Sequence, residues 1–62
     1  MPIFHVETKS DYLFFEGSSR DSVIKYCRSK GLKLNAVSLV KQDLYETLLE
    51  IDFINKAEQI KE

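Results

Sequence analysis

The chain has no tryptophan, one proline, one histidine, one cysteine and two glycines among its 62 residues. Each scarcity closes a route. A single cysteine, Cys27, excludes an internal disulfide. One cysteine beside one histidine, His5, falls short of the ligand set of a structural zinc site. Gly17 and Gly31 are isolated, so there is no glycine-rich loop to cradle a phosphate. The longest run of purely apolar side chains is Leu13 to Phe15. A spanning helix needs roughly 20 such residues. Residues 1–8, MPIFHVET, lack the basic start and apolar stretch of a secretory leader. With a lone thiol, this predicts a cytoplasmic protein with no membrane partner.

What is present points to a folded domain. The composition is 44% hydrophobic and 31% charged with a net charge of −1, too apolar and too nearly neutral for intrinsic disorder. Residues 1–62 are expected to form a single compact domain. A chain this short buries only about 60% of the surface that its unfolded form exposes. Without disulfide or metal, its stability has to come from tight packing or from a partner.

Ile3, Phe4, Val6 and Thr8 are strand formers, and Pro2 suits the first position of a strand. Lys9-Ser10-Asp11 is a polar break, after which Tyr12-Leu13-Phe14-Phe15 resumes a strand that Gly17 ends. Two strands across so short a gap predict an antiparallel hairpin. A helix follows over about 18–30. Ser18 is its expected N-cap, Asp21 favours the positive helix end, and Val23, Ile24 and Cys27 form its inner stripe. Gly31 is placed as the left-handed residue after its end, with Leu32 packing back on Cys27.

Residues 33–40, KLNAVSLV, read as a third strand, and a second helix is expected from Gln42 to about 60. The order β-β-α-β-α predicts a small two-layer α+β sandwich. Its three-stranded, mainly antiparallel sheet has order 2-1-3, with both helices on one face.

The chemistry inventory argues against an enzyme. His5 and Cys27 are the only base and thiol. They are expected on a strand and on a helix's inner face, where a lone cysteine behaves as a small hydrophobe. The carboxylates Asp43, Glu46 and Glu50 lie on a predicted helix and read as a solvated face rather than a metal site. Gly17 precedes the first helix with Ser18, Ser19 and Arg20, a helix start that can attract an anion as any helix start can. No cofactor, metal or small-molecule substrate is expected.

Two features point to partners. Charge is segregated: residues 20–41 hold six basic residues against Asp21, a net of +5, whereas residues 42–62 hold six acidic residues against two lysines, a net of −4. Either the two helices lie side by side and compensate, or Arg20, Lys25, Arg28 and Lys30, with Tyr26 beside them, form a basic patch for nucleic acid. The pI of 5.8 speaks against the second, since nucleic-acid domains usually exceed about 9.

The second feature is surplus apolar surface. Leu44, Leu48 and Ile51 supply one stripe for the second helix and are expected to face the sheet. Tyr45, Leu49 and Phe53 form a second stripe, which one sheet cannot also bury. A helix that ends near Asp52 would instead tuck Phe53 and Ile54 into the core. Tyr12 and Phe14 similarly sit on a sheet face that helices on the other side leave bare. Tyr45, Leu49, Phe53, Tyr12 and Phe14 are therefore the candidate contacts for a protein partner or for self-association.

With no tryptophan and many lysine, isoleucine, phenylalanine and tyrosine residues, the composition resembles that of small accessory proteins encoded by bacteriophages. The resemblance rests on composition alone and carries no residue over. It implies a stoichiometric binder, an inhibitor or regulator of a larger protein in the host cytoplasm.

Overall fold

The computed structural model describes residues 1–61. Its elements are β1 (Ile3–Thr8), β2 (Tyr12–Glu16), α1 (Arg20–Ser29), β3 (Leu34–Val40), α2 (Gln42–Glu50) and β4 (Glu58–Gln59). They build a small α+β fold with two helices and a mixed four-stranded sheet, ordered β3-β1-β2-β4.

The hairpin forms as its residues dictate. Phe4 opposes Phe15 and Val6 opposes Leu13. The polar break closes with the Thr8 amide donating to the Asp11 carbonyl at 2.9 Å, and the Asp11 amide donating to Thr8 Oγ1 at 3.0 Å. Strand β3 lies antiparallel on the other side of β1, with an irregularity between Glu7 and Thr8.

Helix α1 starts one residue later than the expected cap. Ser19, not Ser18, is extended and accepts the Ser22 amide on its side chain. Its end follows the expected pattern. Gly31 has φ 79, its amide donates to Arg28, and the Leu32 amide donates to Cys27. This is the paired closure that a left-handed residue permits.

Two expectations require correction. The sheet has a fourth strand: β4 runs parallel to β2, pairing Phe15 with Glu58 and Glu16 with Gln59. The two helices also do not share a face. Phe4, Val6, Phe15 and Val37 pack on Val23 and Cys27 of α1. The alternating residues of the same strands face the other way, and there Phe14 meets Tyr45 of α2, with ring centroids 6.4 Å apart.

The fourth strand supplies the reason. The connections β2-α1-β3 and β3-α2-β4 both join parallel strands, but the first crosses the sheet in one direction and the second returns. Crossovers of one hand then have to run over opposite faces.

Helix α2 is also shorter than expected and ends at Glu50. Asp52 takes the left-handed conformation at φ 55. The Asp52 amide donates to Leu49 and the Phe53 amide to Leu48, so an aspartate does here what Gly31 does after α1. The chain then returns to β4, and Ile60 enters the α1-side core at 4% exposure. It sits against Gly17, where a Cβ would lie 2.7 Å from Ile60 Cδ1 and 3.0 Å from Val23 Cγ2. Among the described residues, no helix is long and apolar enough to cross a membrane.

Candidate functional site: the incompletely covered sheet face

Helix α2 presents the opposite stripe to the one expected. Tyr45 is buried at 6% exposure, whereas Leu44 is 53% and Ile51 63% exposed. Leu48 and Leu49 are half-buried. Leu44, Tyr45, Leu48 and Leu49 make a broad apolar face on this helix, so periodicity alone does not decide its rotation. The ring contact with Phe14 does, together with the hydroxyl of Tyr45, which accepts the Ala57 amide at 2.7 Å and ties the returning loop to the helix. Tyr45, expected at a partner interface, is therefore a packing residue of this domain, and Phe14 is half-buried beneath it. Leu44 and Ile51, expected inside, are on the surface.

Around this contact the face remains open. Tyr12 is 70% and Phe53 74% exposed. His5, half-buried on β1, stacks on Tyr12 at 5.3 Å and lies 5.2 Å from Phe14. Two depressions meet at His5 and Phe14. One, about 640 Å³, runs between these aromatics and the loop 52–56 that carries Phe53. The other, about 540 Å³, runs between β3 and α2 and is walled by Ser38, Val40, Lys41, Leu44 and Leu48. The total accessible surface is 4692 Å². A compact monomer of 7.2 kDa is expected to expose about 4,100 Å², and the excess agrees with a half-covered sheet.

The α1 face differs in both packing and charge. Lys25, Arg28 and Lys30 are exposed, as is Arg20. Arg20 donates from Nε to the Val37 carbonyl at 3.0 Å, which places its cation on edge strand β3, and the Lys30 ammonium lies 5.2 Å over the Tyr26 ring. A shallow depression there is lined by Ser22, Lys25, Tyr26, Ser29 and Lys61. The Tyr26 hydroxyl donates to Glu58 at 2.6 Å. This bond to a carboxylate raises the Tyr26 pKa, because ionisation would break it and set two negative charges together. Since the helices lie on opposite faces, the basic α1 and the acidic α2 cannot neutralise one another side by side.

His5 and Cys27 do not meet either. His5 belongs to the α2 face, while Cys27 is fully buried in the α1-side core, where burial, with a smaller contribution from Glu58, raises its thiol pKa. A thiol held protonated is a poor nucleophile. Among the described residues, no three His, Cys, Asp or Glu side chains are grouped to hold a metal ion. No family model matches the chain, and no curated protein or solved structure matches it either.

Proposed function

We propose that this chain is a small non-enzymatic protein-binding module, acting stoichiometrically as an inhibitor or regulator of a larger protein. The observation that carries the reading is the exposure of Tyr12, Leu44, Ile51 and Phe53, four of the six large hydrophobic side chains most exposed among the described residues, on one side of the domain. Contiguous apolar surface rimmed by polar residues is characteristic of interaction sites, and aromatic residues are enriched in interface cores. The fully buried thiol and the separation of His5 from Cys27 support a role without catalysis.

The test is site-specific photo-crosslinking in the native host, with the cross-linker at Tyr12 or Phe53 and, as a control, at Lys25. The module reading expects one discrete protein adduct from the first two positions. Adducts of this chain with itself would make it a homodimer. No adduct from either position rejects the reading. Cys27→Ser, at a position buried away from this face, is expected to retain biological activity where the variant folds. Loss of activity with unchanged thermal unfolding would revive a chemical mechanism.

A second reading is nucleic-acid binding through Lys25, Arg28 and Lys30. It is favoured by the placement of α1 on a face of its own, with Tyr26 among the cations. Phosphate contacts make affinity fall steeply with salt. Titration of labelled single- and double-stranded oligonucleotides at low and moderate salt decides it, and absence of binding at low salt removes it.

A further inference from the structure

We propose that the groove between α2 and β3 receives an amphipathic helix of a different protein, with lysine or arginine flanking the helix's apolar stripe on its α2 side. The inference rests on the module reading and specifies its partner.

The shape comes first. Leu44, Leu48 and Ile51 recur at i, i+4 and i+7 along α2, and Leu44 and Ile51 are more than half exposed. Side chains at this spacing form a ridge of the kind that packs into the groove of another helix. Beside the ridge lies the depression of about 540 Å³, with Val40 of β3 on its far wall. An apolar stripe set into an apolar groove is a common way of recognising helical segments.

The charge selects the partner. Residues 41–56 carry Asp43, Glu46, Glu50 and Asp52 against Lys41, which lines the depression, and Lys56, a net of −2. At about 100° per residue, Asp43 and Glu50 flank the Leu44–Ile51 ridge on the side away from the buried Tyr45. A helix seated on the ridge brings its own flank against these carboxylates, so cations there are attracted and acids repelled.

The same charges argue against the other occupants. A symmetric dimer uses the same patch on both subunits and would set this acidic helix against its own copy. Docking the basic α1 of a second copy here is a head-to-tail contact, which generates rings or open filaments rather than a closed pair. A nucleic acid would meet the carboxylates of Asp43 and Glu50 beside the apolar ridge, and Lys41 at the start of α2 is the cation the depression offers against them.

The experiment titrates the nitrogen-15-labelled protein with two synthetic helical peptides. They share one leucine stripe and differ only in flanks of lysine or of glutamate. The proposal expects the lysine peptide to bind at least tenfold more tightly at low salt and to shift the amides of Leu39, Val40, Leu44 and Leu48. The preference should shrink at high salt. Asp43→Lys with Glu50→Lys should reverse it. Leu44→Ser with Ile51→Ser should weaken the lysine peptide about tenfold without altering thermal unfolding.

Equal binding of the two peptides, shifts confined to other surfaces, or no binding would overturn the proposal. So would an oligonucleotide that shifts the same groove amides, or sedimentation showing a dimer that the Leu44/Ile51 variant abolishes. A discrete adduct from Tyr12 or Phe53, obtained alongside any of these results, would leave the module reading standing with a partner of other chemistry.

Discussion

On the α1 face of the sheet, Phe4, Val6, Phe15, Val23, Cys27, Val37 and Ile60 close around one another and exclude water. On the α2 face, Tyr45 covers Phe14 while Tyr12, Leu44, Ile51 and Phe53 stay in solvent. The strands supply large apolar groups to both sides, so hydrophobicity alone does not separate a core from a surface here. The difference lies in how each helix is held. The α1 side has a capped helix and the returning Ile60 to complete it. Helix α2 has no side-chain cap at its start and crosses a face that one short helix cannot cover.

The contrast is broken most severely by Phe15→Ala. Truncating a buried phenylalanine costs about 3–5 kcal/mol, a large part of the stability of so small a domain. The variant is expected to be substantially unfolded by circular dichroism, whereas Leu44→Ala should leave the unfolding free energy from urea titration within about 0.5 kcal/mol of the parent. Comparable losses at the two positions would mean that the α2 face is as much a core as the α1 face.

Gly17→Ala is next. The new methyl meets Ile60 and Val23 at the distances of 2.7 and 3.0 Å given above, and overpacking of this kind costs about 1–3 kcal/mol. Ile60→Val removes the Cδ1 atom in the way, so the double variant should lose less than the sum of the two single changes. A double-mutant cycle in urea measures that coupling. Strict additivity would show that Ile60 is not seated against Gly17.

Gly31→Ala sharpens the comparison from the other side. A Cβ at Gly31 meets nothing within 4 Å, so the cost is conformational only, about 1 kcal/mol for a side chain held at positive φ. It should not respond to any change at Ile60.

The smallest effect is alkaline. The folded-state pKa values of Tyr26 and Cys27 are both raised. A group whose folded pKa is raised contributes stability that is complete below its unfolded pKa and is lost as pH rises through the folded one. Stability should therefore decline above about pH 9–10, the ordinary thiol and phenol range. Tyr26→Phe should remove part of that slope and Cys27→Ser the other part. A slope unchanged in both variants would place its origin elsewhere.

The legible parts of the fold were those written in local chemistry. The hairpin is marked by alternation and a polar break, and the end of α1 by Gly31 with Leu32. The order of the first three strands also followed from pairing rules. What the sequence hid depends on distant partners. Glu58 and Gln59 have little strand propensity and pair only because Ile60 is anchored beside Gly17 and Glu58 accepts from Tyr26. Missing that strand led to a two-layer expectation, because the reversal of direction that sends α2 to the other face exists only once β4 is counted. Asp52 ends α2 without the glycine that usually signals such a stop. Of the candidate contact residues, exposed Tyr12 and Phe53 were readable from alternation and from excess apolar surface. The exchange of Tyr45 with Leu44 was not, because only the ring of Phe14 chooses between the two stripes.

Ile60 also makes the α1-side core non-local. The hollow it fills lies between Gly17 and Val23, about 40 positions earlier in the chain. A loop of that length has to close before the contact stabilises anything, and until it closes the outer edge of β2 has no neighbour, which invites wrong pairings. Ile60→Ala should therefore lower the yield of soluble protein on refolding from urea more at high than at low protein concentration.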